Sequence, residues 1–66
     1  MRIIAYTPRG MFKGEEHDYT EETYQGITRF LEKLPDLTYF SFSLAESGEI
    51  YFTKAMIDES VFVLQT

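Results

Sequence analysis

One stretch of the chain, from Tyr24 to Leu34, repeats apolar residues with the period of an α-helix. Its apolar positions are separated by three, four and three residues, which places them on one helical face. The helix start has two candidate caps: Asp18, with Glu21 three residues later, or Thr20 alone. Pro35 predicts the helix end. The predicted packing face consists of Tyr24, Ile27, Leu31 and Leu34, with Phe30 beside it.

Four other segments have the alternation, or the β-branched and aromatic content, of strands. They are residues 2–7, 38–44, 49–54 and 61–65. The alternation is clearest in residues 38–44, where every second residue is apolar. A four-residue loop ending in Gly48 predicts a hairpin between the second and third of these strands. Residues 55–60 are predicted to form either a reverse turn or a single turn of helix.

Residues 7–19 have no clear period, and Pro8, Gly10 and Gly14 indicate turns. Met11 and Phe12 lie between the two glycines. They either form a short strand or stand out as an exposed apolar tip. Such a long connection in a small domain suggests either a functional loop or disorder.

The order of these elements predicts an α+β fold in a single domain spanning residues 1–66. We expect one helix packed on a small, mainly antiparallel four-stranded sheet in the order β-α-β-β-β. A chain of this length buries only about 60% of its unfolded surface. Six Phe and five Tyr residues offset this shortage with large apolar side chains. Either this core suffices for a monomer, or a homodimer shares part of the surface.

Charge and composition argue against several classes of function. The chain carries eleven acidic and six basic residues, for a net charge of −5. Proteins that bind nucleic acid usually present a basic surface, so direct binding to DNA or RNA is not expected. No apolar run approaches the roughly 20 residues of a membrane span, and the first residues are too short an apolar run for a signal peptide. Together with the absence of cysteine, this predicts a cytoplasmic protein without membrane contact.

No motif predicts an enzyme, a cofactor or a metal site. The only histidine, His17, neighbours Asp18 on an apparent loop, where nothing in the sequence fixes a catalytic arrangement. A single histidine without cysteine cannot form a zinc site unless several carboxylates join it. The paired glutamates do not have the spacing of a calcium-binding loop.

A run of acidic residues is the strongest functional signal in the chain, with five carboxylates between residues 15 and 22. It predicts a patch that docks on a basic surface of another protein, where charge speeds encounter and nearby apolar side chains supply affinity. If that surface normally holds nucleic acid, the carboxylates occupy the places of phosphates and the protein acts as an inhibitor. Small acidic proteins of this kind are common among phage and mobile-element proteins that block host machinery. The predicted partner-binding residues are Met11, Phe12, Glu15, Glu16, Asp18, Tyr19, Glu21 and Glu22.

The far side of the predicted sheet is a second candidate surface, because an uncovered face of Tyr and Val is typical of an interface. It predicts a dimer face or second partner site formed by Tyr6, Tyr39, Tyr51, Val61 and Val63. One alternative function is a small nucleic-acid-binding regulator that uses the Arg9 and Lys13 loop with the sheet tyrosines. The other is a structural subunit of a larger assembly.

Overall fold

The computed structural model describes all 66 residues and contains five strands, two α-helices and one short 3-10 helix. The α+β class is therefore confirmed, whereas the single four-stranded sheet is wrong. The strands form a three-stranded antiparallel sheet in the order β2-β1-β5 and a two-stranded antiparallel sheet of β3 and β4. In chain order the elements are β1 (Arg2–Thr7), β2 (Gly10–Lys13), α1 (Glu21–Glu32), the 3-10 helix (Leu34–Asp36), β3 (Tyr39–Ser43), β4 (Glu49–Thr53), α2 (Lys54–Glu59) and β5 (Val61–Gln65).

Both edges of β1, the central strand of the three-stranded sheet, are occupied. The segment after Pro8 turns back as β2 and pairs with β1, with Tyr6 opposite Met11. The last strand pairs with the other edge of β1, with Ile4 opposite Val63. A strand has only two edges, so the β3–β4 hairpin cannot pair with β1, and it forms its own sheet instead of pairing with the free edge of β5.

Gly14 links the two sheets. Its amide donates to the Ile3 carbonyl oxygen at 2.7 Å, and the residue also forms an isolated antiparallel bridge with Leu44. A Cβ atom at Gly14 would lie 2.9 Å from the Ile3 carbonyl oxygen and 3.1 Å from a ring carbon of Phe42. Only a residue without a side chain allows this approach. The sequence analysis identified Gly14 as a turn residue, whereas the structure uses it as the joint between the sheets.

The core is a group of aromatic rings between the sheets, centred on Phe40, which is 4% exposed. Its ring centroid lies 5.5 Å from that of Phe62 in β5 and 6.1 Å from that of Phe52 in β4. These distances fall in the range of favourable aromatic pairs. The buried members of the cluster are Ala5, Leu34, Phe40, Phe52 and Ile57.

The predicted helix α1 forms, but none of its residues is buried. Of the two candidate caps, Thr20 is the one used: its side chain accepts a hydrogen bond from the Thr23 amide at 3.0 Å. The helix ends before Leu34, which lies in the 3-10 helix and is buried there. The packing face touches the core through Leu31 and through Phe30, whose ring lies 5.3 Å from that of Phe40.

Residues 54–59 form the second helix, α2. Of the two predictions for this segment, a turn or one turn of helix, the helix is the one that forms. Ile57 is its buried residue. The Lys54 ammonium donates to the Pro35 carbonyl oxygen at 2.6 Å and so ties α2 to the 3-10 helix. Neither α-helix is long and apolar enough to cross a membrane.

Two glycine-to-alanine substitutions test the joint between the sheets. Gly14→Ala is expected to lower the free energy of unfolding by about 1–3 kcal/mol, because the added methyl overlaps packed backbone and ring atoms. Gly26→Ala, in the exposed interior of α1, is the matched control, because a Cβ atom there meets nothing within 4 Å. It is expected to raise the free energy of unfolding by up to about 1 kcal/mol. Urea denaturation measures both, and equal effects would contradict the assigned role of Gly14.

Candidate functional site

The acidic run, residues 15–22, is called the acidic segment below. Backbone hydrogen bonds hold its first part against both sheets. The Glu15 amide donates to the Ser43 carbonyl oxygen at 2.8 Å, and the His17 amide donates to the Met1 carbonyl oxygen at 2.7 Å. The Met1 ammonium in turn donates to the His17 carbonyl oxygen at 2.6 Å. Its second part is the cap and first turn of α1. The segment therefore has a defined backbone rather than the character of a free loop.

All five carboxylates of the acidic segment belong to exposed residues. Only Glu16 has ion-pair partners: its oxygens lie 3.0 Å from the Arg2 Nε and 3.4 Å from the Met1 ammonium. Glu21 accepts a hydrogen bond from the neutral Gln25 amide at 3.0 Å. Glu15, Asp18 and Glu22 have no ion-pair partner. Four of the five negative charges therefore face solvent without a compensating cation.

The pKa of Glu16 is lowered from its ordinary value, chiefly because its carboxylate accepts the hydrogen bond from Arg2. Desolvation opposes this effect on the pKa, and the hydrogen bond and charge of the Met1 ammonium lower the pKa further. Glu16 thus stabilises the start of the acidic segment by anchoring it to β1. Its role differs from that of the four unpaired carboxylates.

Tyr19 provides an apolar surface within the acidic segment. It is 58% exposed, and its ring centroid lies 5.8 Å from that of Tyr24, at an interplanar angle of 41°. Tyrosine offers a large contact area with a polar tip and few rotatable bonds, which suits a binding surface. The two rings place an aromatic pair at the N-terminal end of α1, next to the carboxylates.

Met11 and Phe12, predicted together as apolar anchors, point to opposite faces of β2. Met11 is 50% exposed on the outer face, opposite Tyr6. Phe12 lies opposite Ala5 and packs against the core cluster. Alternation along a strand accounts for the separation, because successive side chains leave a strand on opposite sides. The structure therefore does not bring the two side chains together as one anchor.

The residues predicted for a second interface fall on two sheets rather than one. Tyr6, Val61 and Val63 share the outer face of the three-stranded sheet. Tyr39 and Tyr51 lie on the outer face of the β3–β4 sheet and are 64% and 69% exposed. All five side chains are accessible, but they form two separate surfaces.

A cleft of about 310 Å³ at the junction of the sheets adds residues that the sequence analysis did not assign. Glu49 of β4 lies in it beside Glu15 and His17 of the acidic segment. The carboxylate of Glu49 accepts hydrogen bonds from the hydroxyls of Ser41 at 3.3 Å and Ser43 at 3.2 Å. Strand alternation places both serines on the outer face of the β3–β4 sheet. The hydrogen bond between the Glu15 amide and the Ser43 carbonyl oxygen brings this face next to the acidic segment. The structure contains no group of three or more His, Cys, Asp or Glu side chains arranged to hold a metal ion.

Comparisons of the chain with protein-family models, curated proteins and solved structures each found no match. The candidate site is defined by its geometry alone. It consists of the acidic segment, the Tyr19–Tyr24 pair and the adjoining cleft.

Substitutions in β2 test the different environments of its two apolar side chains. Phe12→Ala is expected to lower the free energy of unfolding by roughly 2–4 kcal/mol, because it removes ring contacts with the core. Met11→Ala is expected to change it by less than about 0.5 kcal/mol, because the side chain is half exposed. Thermal or urea denaturation distinguishes the two. A large loss of stability for Met11→Ala with none for Phe12→Ala would contradict the assignment of Met11 to the outer face and Phe12 to the core.

Glu16→Gln tests the anchoring ion pair through its pH dependence. Because the pKa is lowered in the folded state, the carboxylate stabilises the fold at pH values above its unfolded-state pKa. This contribution is lost as the pH falls through the folded-state pKa. We therefore expect Glu16→Gln to be less stable than the unsubstituted protein at pH 7 and the difference to shrink in acid. Urea denaturation at several pH values measures the difference.

Glu15→Gln is the matched control for this experiment, because it removes the neighbouring carboxylate, which has no ion-pair partner. It is expected to reduce stability less than Glu16→Gln at pH 7. A deficit of Glu16→Gln that stays constant into acid would show that the ionised carboxylate does not stabilise the fold.

Proposed function

We propose that this protein is a small, non-enzymatic protein-binding module that docks its acidic segment on a basic surface of another protein. The observation that carries the proposal is the set of exposed and unpaired carboxylates. Glu15, Asp18, Glu21 and Glu22 lie within eight residues of one another, and no cation of the chain neutralises them. Unneutralised charge of one sign steers a partner of the opposite sign and selects against wrong partners.

The anchored backbone of the acidic segment supports this function. Binding normally costs conformational entropy when a loop becomes ordered at an interface. Here the hydrogen bonds of Glu15 and His17, together with the Thr20 cap, already hold the backbone. Less ordering is then required when a partner binds, so more of the contact energy appears as affinity.

Tyr19 is the best placed apolar anchor for such an interface. Charged contacts alone give speed and selectivity, whereas affinity usually depends on a few large side chains near the centre. Tyr19 is exposed within the acidic segment, whereas the ring of Phe12 is committed to the core. We therefore assign the anchor role to Tyr19, with Met11 as a separate contact on the outer face of the sheet.

The cleft at the junction of the sheets extends the negative surface. Glu49 lines it together with Glu15, so the carboxylates are not confined to one stretch of chain. A basic surface that normally binds nucleic acid meets a succession of phosphates, and carboxylates on two elements can take their places. This arrangement favours a partner that handles DNA or RNA and an inhibitory role, as among phage and mobile-element proteins.

Two variants of equal charge test the proposal. The first, E15Q/D18N/E21Q/E22Q, removes the four unpaired carboxylates of the acidic segment and keeps the Glu16 ion pair. The second, E32Q/D36N/E46Q/E59Q, removes four exposed carboxylates elsewhere, none of which forms an ion pair. Both variants and the unsubstituted protein serve as tagged baits in a lysate of the source cells, at low and moderate salt. Mass spectrometry identifies the retained proteins, and the main one is purified for direct titration.

We expect one basic protein to be retained by the unsubstituted bait and by the second variant, and to be lost with the first variant. Its affinity should fall as salt rises, because exposed charges are screened. Tyr19→Ala should weaken the same complex without changing the fold. Equal binding by the two charge variants would overturn the role of the acidic segment. Filter binding of labelled DNA and RNA at low salt, if positive, would instead favour the nucleic-acid-binding alternative.

A further inference from the structure

The outer edge of β5 is unpaired. β5 (Val61–Gln65) pairs with β1 on one side only. No other backbone or side-chain hydrogen bond reaches its residues on the opposite side. Such a row of free amide and carbonyl groups can accept a further strand.

Three of the usual protections against strand addition, namely charged residues, proline and a bulge, are absent from this edge, although β5 has only five residues and α1 contacts it. Residues 60–66 contain no charged residue and no proline. The pairing of β1 with β5 runs without interruption from Arg2 opposite Gln65 to Tyr6 opposite Val61, so no bulge twists the edge away. Soluble proteins generally guard exposed edges with one of these devices.

Exposed apolar side chains lie next to this edge on one face of the sheet, although Ile4, the cross-strand partner of Val63 on that face, is only 4% exposed. On the outer face of the three-stranded sheet, one row consists of Met11, Tyr6 and Val61, which lie opposite one another. They are 50%, 48% and 62% exposed, and Val63 in the next row is 40% exposed. This face and the β5 edge therefore offer apolar contacts and free hydrogen-bonding groups at the same place.

We propose that the occupant of this edge is a second copy of the chain, paired antiparallel through β5 about a two-fold axis at Val63. This register is complementary to itself. It places Val63 opposite Val63 of the second copy on the outer face and Phe62 opposite Leu64 of the second copy on the inner face. Amide groups of one copy along the seam then face carbonyl groups of the other, and the two-fold axis repeats every such contact, as an isologous interface requires.

Charge also favours a second copy at this seam over other parts of the surface. Each chain carries a net charge of −5, so two copies repel one another when their acidic surfaces approach. The β5 strand is uncharged, which allows close approach along it. The result is a continuous six-stranded sheet in the order β2-β1-β5-β5-β1-β2, with two acidic segments in one assembly. This inference is independent of the proposed binding function.

Opposite charges introduced at Val63 test the seam. The unsubstituted protein is expected to have twice the chain mass in size-exclusion chromatography with light scattering. Val63→Lys and Val63→Glu each place like charges across the two-fold axis, and should raise the dimer dissociation constant at least ~100-fold. A mixture of the two should restore the dimer as a heterodimer, because unlike charges then face one another. Restoration would also show that both variants are folded.

Tyr51→Lys is the matched control, because Tyr51 is exposed on the outer face of the other sheet. It is expected to leave the dimer intact. A monomeric unsubstituted protein at sub-millimolar concentration would overturn the proposal. So would a dimer that survives both Val63 substitutions, one that Tyr51→Lys dissociates, or a mixture of the two Val63 variants that remains monomeric. Retention of a different protein that Val63→Lys releases, with no self-association, would assign the edge to another partner's strand and also overturn it.

Discussion

The ring of Phe40 is the contact on which the rest of the structure depends. It lies within 6.1 Å, between centroids, of the rings of Phe30, Phe42, Phe52 and Phe62, and so touches α1, β3, β4 and β5. A chain of 66 residues has few buried side chains, and only eight of its residues are buried. Aromatic rings supply the largest apolar area per residue, which is why a core this small can hold two sheets together. The helix α1 is held mainly through Phe30 and Leu31 and remains otherwise half exposed.

The acidic segment takes its conformation from the way this core closes. The two sheets pack around Phe40, and the chain crosses between them at Gly14, where no side chain could fit. From that crossing the next residues lie between Met1 and Ser43 and bond to both. The acidic segment has the turn residues and charges that are typical of a loop. In the structure, however, these hydrogen bonds give it a defined backbone conformation. The proposed docking function uses this arrangement, because a backbone that is already ordered lowers the entropic cost of binding.

Several local features were predictable from the sequence. The strand bounds of β1 and β5, the hairpin with Gly48 in a left-handed conformation, and the Thr20 cap all follow from short-range chemistry. The exposure of the acidic segment was likewise predictable, because carboxylates are costly to bury. The residues missed at the site are Glu49, Ser41 and Ser43, because their approach to Glu15 depends on a hydrogen bond between Glu15 and Ser43, which are far apart in the chain. Of the two alternatives for the segment around Met11 and Phe12, the structure has the short strand, and strand alternation places the two side chains on opposite faces.

The α+β class, the approximate positions of the helix and four strands, and the concentration of negative charge in residues 15–22 could all be inferred from the order of residues along the chain. These properties depend on neighbours within a few positions along the chain. Only the tertiary structure decided that β2 fills an edge of β1 and divides the strands into two sheets. It alone decided that Gly14, rather than Gly26, is the position of close backbone approach, and that the edge of β5 stays open. The reason is that strand order and edge occupancy depend on competition among distant segments for a limited number of hydrogen-bonding edges and a small aromatic core.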